Sequence, residues 1–134
     1  MNKPTPTVVV VDDSATVRAF FERIAASMNV DVRCFGSAAD SLAFLEKETP
    51  DLVFLDIIMP DKDGLTFLQE LRRLPRHQGT RVVMISSKDY AQDRTTAKDL
   101  GALDFVAKPV TTQKIQELIT RHTGGGEEHG SDRV

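Results

Sequence analysis

Val8-Val9-Val10-Val11-Asp12-Asp13-Ser14 is the stretch whose reading decides the fold. Its four consecutive valines make an apolar run too short for a helix, and no polar residue alternates with them to mark a wet side. Such a run reads as a strand buried on both faces, the habit of parallel sheets covered by helices. Two aspartates follow at once, and then a serine suited to cap a helix. The strand thus ends in acid just where a helix begins.

Outward from this stretch the same unit recurs. Residues 14–28 place Val17, Phe20, Phe21, Ile24 and Met28 at helical spacing. Val30, Val32 and Cys34 alternate with polar residues, as a half-buried or edge strand does. Ser37 and Asp40 have the spacing of a capping box, and the helix they start must stop before Pro50. Residues 52–55 form another buried strand, ended by Asp56, and residues 64–74 a helix closed by Pro75. Residues 81–85 lead as a strand into Ser86 and Ser87, and residues 90–100 form a helix with Gly101 as its left-handed cap. A short strand at 104–107 precedes Lys108, and residues 111–122 set Ile115, Leu118 and Ile119 on one helical face. Five strands alternating with five helices imply crossover connections, hence an α/β fold: a doubly wound parallel five-stranded sheet with helices on both faces.

The bulk properties bound the function. A chain of 134 residues suits one domain. That domain is expected at 7–122, between a flexible N-terminus at 1–6 and a flexible Gly-rich tail, or the start of a linker, at 123–134. No apolar run approaches the ~20 residues that cross a bilayer, so no membrane role is expected. The polar start lacks the features of a signal peptide, and Cys34, the only cysteine, excludes an internal disulfide framework. Together these favour the cytoplasm. The net charge of −3 argues against direct nucleic-acid binding. Arg72, Arg73 and Arg76 read as a solvated helix end, where cations suit the dipole. Cys34, Met28, Phe20, Phe21, Phe44 and Phe67 read as packing residues. His77, His122 and His129 lack metal spacing and read as surface residues, and Asp61 and Asp63-Gly64 read as turn chemistry.

In an open parallel α/β sheet, ligands gather outside the carboxyl ends of the strands. There the sequence sets Asp12 and Asp13 after the first strand, Asp56 after the third, Ser86 and Ser87 after the fourth, and Lys108 after the fifth. Two carboxylates ~4 Å apart repel by roughly 4 kcal/mol at an effective dielectric of 20, so the cluster calls for a counter-ion or a proton. All the donors are hard oxygens, which suits magnesium. A carboxylate beside such an ion can attack a phosphoryl group, with Lys108 offsetting charge and Ser86 donating a hydrogen bond. The residues alone do not choose among the three aspartates as nucleophile.

The first stretch, together with Leu52-Val53-Phe54-Leu55-Asp56-Ile57-Ile58-Met59-Pro60-Asp61-Lys62-Asp63-Gly64, Ile85-Ser86-Ser87 and Gly101-Ala102-Leu103-Asp104-Phe105-Val106-Ala107-Lys108-Pro109, resembles the response-regulator receiver domains of two-component signalling. The four motifs occur in the family's order and spacing from about residue 7 to about residue 122. The resemblance implies a flavodoxin-like (βα)5 fold with strand order 2-1-3-4-5, an order given for a receiver domain as a known example. It implies that Asp56 is the phosphoacceptor and that Mg2+ is held by Asp12, Asp13, Asp56 and the backbone carbonyl of Ile58, with Asp12 acting mostly through water. Ser86 and Lys108 would meet the phosphoryl group, and Phe105 matches the aromatic switch position, whose ring turns inward when Ser86 moves. Ile58 and Lys88 flank the path of the attacking water and so tune phosphoryl lifetime. Phe105 stands where tyrosine is commoner, and has no hydroxyl to pair when it faces solvent. A cis Lys108-Pro109 bond is also implied.

The function this implies is a phosphorylation-activated signalling switch rather than a conventional enzyme. A sensor histidine kinase or histidine phosphotransfer protein donates the phosphoryl group, and the face built from the fourth helix, fifth strand and fifth helix then binds a downstream partner protein. A phosphorelay intermediate is an alternative within the same chemistry. The chain would act as a monomer or a phosphorylation-dependent dimer. A magnesium phosphohydrolase of the haloacid dehalogenase type would need a second aspartate two residues after the nucleophile, where Ile58 stands. A flavin-binding module is disfavoured by the acid-rich first loop.

Overall fold

The computed structural model describes residues 5–124. The chain runs β1 (Thr7–Val11), α1 (Ala15–Ala26), β2 (Asp31–Phe35), α2 (Ala38–Leu45), β3 (Leu52–Asp56), α3 (Gly64–Arg72), a 3-10 turn (Pro75–His77), β4 (Val82–Ser86), α4 (Ala91–Asp99), β5 (Asp104–Ala107) and α5 (Thr112–Thr123). All strand pairs are parallel, in the order β2-β1-β3-β4-β5. The flavodoxin-like (βα)5 architecture expected from the sequence is therefore the one observed. The N-terminus at 1–6 and the tail at 123–134, both expected to be flexible, fall largely outside the described residues, as does His129.

Alternation along the strands builds two cores. Val9, Val11, Val53, Leu55, Val82 and Met84 face α2, α3 and α4, where Leu45, Phe67, Leu68 and Leu71 meet them. Val8, Val10, Phe54, Val83 and Ile85 face Phe21 and Ile24 of α1 and Ile115, Leu118 and Ile119 of α5. β1, β3 and β4 are buried along almost their whole length, as a sheet covered on both faces requires. β2 alternates exposed and half-buried residues, because it is an edge strand. Ser14 and Ser37 cap α1 and α2 through their hydroxyls, and Gly101 takes a positive φ of 83° after α4.

Three sequence expectations are corrected. His77 is buried, not on the surface: its Nε2 lies 2.6 Å from the carbonyl oxygen of Leu45 and its Nδ1 2.7 Å from Thr80 Oγ1. A carbonyl can only accept, so Nε2 carries a proton and donates it to Leu45, while the Thr80 hydroxyl, able to donate or accept, meets Nδ1. Arg72 is not a solvated cation at a helix end. Its guanidinium donates to the carbonyls of Leu100, His77 and Thr80 at 2.7–2.8 Å, tying α3 to the segments before β4 and after α4. His122 is only half exposed, and its Nε2 is buried with no hydrogen-bond partner.

Candidate functional site: an acid pocket at the carboxyl rim

Strand register sets the pocket. Val11 pairs with Leu55, so Asp12 and Asp56 leave the sheet at the same level on neighbouring strands. Asp56 pairs with Ile85, and Ser86 with Ala107, so Ser86 and Lys108 emerge a step further along β4 and β5. The loops are then fixed by the backbone: Asp12 N–H donates to Phe35 O at 3.0 Å, and Lys108 N–H to Ser86 O at 2.8 Å. Arg18 braces the same turn, donating from Nη1 to the Asp12 carbonyl at 2.8 Å.

Carboxylate oxygens of Asp12, Asp13 and Asp56 lie within 4.8 Å of one another. Asp12 and Asp56 are buried and Asp13 is exposed. Oδ1 of Asp12 accepts from the Ser14 amide at 2.9 Å, while Oδ2 has no hydrogen-bond partner and meets Lys108 only as an ion pair at 2.9 Å. Lys108 Nζ also donates to Asp56 Oδ2 at 3.3 Å, and the Ile58 amide reaches Asp56 Oδ1 at 3.4 Å. One ammonium thus serves two buried acids.

The electrostatic consequence appears in the titration of Asp56. Burial and the neighbouring charge of Asp12 push its carboxyl up to about 6, against the pull of Lys108 and the Ile58 amide. Lys108 is raised: burial alone lowers it, but the Asp12 carboxylate beside it, with Asp56 behind, outweighs that. A pocket of hard oxygens with one buried oxygen lacking a hydrogen bond, and an acid held near protonation, fits a divalent cation such as magnesium.

The other residues singled out in the sequence take different positions. Ser86 is fully buried, and its Oγ accepts from the Lys88 amide at 3.0 Å. The side chains of Ile58 and Lys88 are exposed at the rim. Phe105 is 8% exposed, packed against the α4 side of the sheet with the Arg94 guanidinium 4.7 Å from its ring centroid. The Lys108-Pro109 bond is cis. Cys34 is half-buried with its thiol pushed up to about 12, mainly by burial, so it is unreactive at neutral pH.

Three further residues shape the loop after Asp56. Gly64 N–H bonds the Ile57 carbonyl at 2.7 Å, and any side chain at Gly64 would strike the Asp56 backbone oxygen. Asp63 caps α3 by accepting from the Leu65 and Thr66 amides, in line with its reading as turn chemistry. Asp61 corrects the expectation that it serves that same turn. Its carboxylate accepts from the Ala38 and Ala39 amides at 3.3 and 3.1 Å, stitching the loop to the start of α2. Nothing in the local sequence marks that bond, since its partners lie 22 and 23 residues away.

A parallel sheet in this strand order, with acids and a lysine meeting at its carboxyl rim, defines a receiver-type module. Residues 8–120 match the response regulator receiver domain model, and the chain belongs to that family, whose members are switches of two-component signalling rather than conventional enzymes. It is 46% identical over 115 residues to a protein-glutamate methylesterase/protein-glutamine glutaminase of Xanthomonas oryzae. That match covers 81% of this chain and 31% of the relative, so the chain spans about a third of it. Chemotaxis protein CheY4 of Vibrio cholerae shares the fold with a TM-score of 0.82 at 21% identity, over 88% of this chain and 98% of that one. The receiver domain of a Pseudomonas aeruginosa sensor histidine kinase, solved with magnesium coordinated in its active-site cleft, shares it with a TM-score of 0.80 at 19% identity, over 90% of this chain and 98% of that one.

Proposed function

We propose that this chain is a phosphorylation-activated switch whose acceptor is Asp56, loaded with Mg2+ by a sensor histidine kinase or a histidine phosphotransfer protein. The observation that carries the reading is the pocket itself: three carboxylates converge at one point, two of them, Asp12 and Asp56, share Lys108, and a buried Asp12 oxygen lacks a hydrogen bond. Asp12, Asp13, Asp56 and the Ile58 carbonyl would hold the ion. When bound, magnesium supplies positive charge to the phosphoryl oxygens and to the acids around them.

The chain's own residues do the rest. An Asp56 carboxylate oxygen forms the new O–P bond as the donor's N–P bond breaks and the donor imidazole leaves. Lys108, already within 3.3 Å of Asp56, pairs with a phosphoryl oxygen. Ser86 gives up the Lys88 amide and donates its hydroxyl proton to another. Ile58 and Lys88, exposed at the rim, set how readily water reaches the acyl phosphate and hence its lifetime. The group carries about two negative charges where the carboxylate carried one, and the movement of Ser86 passes to Phe105 and remodels the face formed by α4, β5 and α5, where a downstream protein docks.

The test is intact mass after incubation with acetyl phosphate and Mg2+. Wild type gains one hydroxylamine-labile phosphoryl group, and Asp56→Asn gains none while keeping its fold by circular dichroism. Equal labelling of the variant would reject Asp56 as the acceptor.

A further inference from the structure

Arg18 is a cation placed where helix electrostatics disfavours one. It ends the first turn of α1, whose amino-terminal pole carries partial positive charge, and that turn holds no acid to offset it. Among the described residues it forms no ion pair, although three carboxylates gather beyond that helix end. Side chains on a helix lean toward its amino terminus, so a long one in the first turn reaches back over the residues before the cap. Arg18 does so across six positions and donates from Nη1 to the Asp12 carbonyl at 2.8 Å. The guanidinium is also backed by β2. It lies against Gly36, just after that strand, where a Cβ would stand 3.1 Å from Nη1. The backbone carbonyl of Arg18 accepts from Cys34 Sγ on the same strand at 3.8 Å.

The carbonyl that Arg18 holds belongs to the peptide joining Asp12 to Asp13. The rest of Asp12 is fixed by other groups: its amide bonds Phe35, its Oδ1 accepts from Ser14, and its Oδ2 meets Lys108. Asp13 has no such anchors. It is exposed, and no hydrogen bond or ion pair among the described residues holds its carboxylate. An oxygen of that carboxylate nevertheless lies within 4.8 Å of oxygens of Asp12 and Asp56. Its direction is therefore set by the plane of the peptide before it, and Arg18 fixes that plane. We infer that Arg18 is a positioning residue for the magnesium site, aiming the Asp13 carboxylate at the ion through the Asp12–Asp13 peptide. This deepens the switch reading given above and rests on it for the identity of the ion.

Positioning and charge act here with opposite signs. A guanidinium near three acids repels an incoming cation, so removing its charge alone would tighten Mg2+ binding. Removing a group that orients a ligand weakens binding, by about tenfold or more. The experiment is Mg2+ titration of the unphosphorylated protein followed by amide NMR, which reads weak as well as tight binding and shows the fold in the same spectra. Arg18→Ala should raise the Mg2+ Kd about tenfold. Arg18→Lys keeps the charge and one donor that can reach the carbonyl, and should recover part of that loss. Gly36→Ala keeps the charge but presses a methyl group on the guanidinium, and should raise the Kd about twofold. In an Asp13→Asn background Arg18→Ala should add less than about a further twofold, because the carboxylate it aims is gone. A Kd unchanged or lowered in Arg18→Ala, or a full loss repeated in Asp13→Asn, overturns the positioning role and leaves the switch reading standing. If Arg18→Ala loses its fold, Arg18→Lys and Gly36→Ala decide by the same signs. A wild-type protein that binds no Mg2+ overturns both readings.

Discussion

At the amino-terminal rim of the sheet, His77, Thr80 and Arg72 meet their bonding demands within the protein; at the carboxyl-terminal rim, Asp12 and Asp56 share one ammonium, and an Asp12 oxygen goes without a hydrogen bond. The lower cluster pairs a cation with three backbone carbonyls and an imidazole with a carbonyl and a hydroxyl. The upper cluster leaves an acid oxygen without a hydrogen bond and holds Asp56 up at about 6. Both lie in the same low-dielectric setting, where a satisfied network rigidifies and an unsatisfied one costs free energy. The lower rim spends its polar groups on stability, and the upper rim keeps strain in reserve for a cation and a phosphoryl group.

The contrast breaks most visibly at Arg72. Arg72→Ala strands three carbonyls and should cost about 3–4 kcal/mol in urea unfolding, with Mg2+ affinity of the folded protein unchanged. A matching loss of affinity would show that the two rims are not independent. Asp56→Asn should act with the opposite sign. Removing a buried acid from a crowded site is expected to stabilise the Mg2+-free protein by about 2 kcal/mol at neutral pH, while weakening Mg2+ binding by tenfold or more in calorimetry.

The pH dependence sharpens the same point. An unfolded aspartate titrates near 3.9, and folded Asp56 near 6, so between those values the folded state holds a proton that the unfolded state has lost. Stability of the metal-free protein should therefore fall as pH rises from about 4 to about 6, and this contribution should level off above 6. In Asp56→Asn that part of the slope should vanish. The cation competes with the same proton, so Mg2+ affinity should decline as pH drops below about 6. The smallest effect belongs to Thr80→Val, which leaves Nδ1 of His77 without its hydroxyl partner and should cost about 1 kcal/mol with no change at the upper rim.

The sequence was legible where a residue's role is set by its immediate neighbours along the chain. The valine run at 8–11, the serine caps at 14 and 37 and the glycine at 101 each carry their reason locally, and strand ends mark the acids and the lysine. Strand order came from resemblance and not from periodicity. Three of the residues misread, Arg72, His77 and Asp61, share another trait: they bond backbone groups elsewhere in the chain. His77 bonds Leu45, 32 residues earlier, and Arg72 bonds Leu100, 28 residues later. For Arg72 a faint signal existed, since it lies one helical turn beyond Leu68 on the apolar side of α3. His77 offered none.

Asp61 has a consequence for the charge that the pocket can tolerate. Its carboxylate is committed to the first amides of α2, so the positive end of that helix absorbs it. An ion arriving at the rim is met by three acids and not four. With a phosphoryl group of about two negative charges on Asp56, a divalent ion and one lysine bring the loaded site to roughly a single residual negative charge. A fourth uncommitted acid would double that residue, so the helix end acts as a sink that keeps the charged state near neutrality.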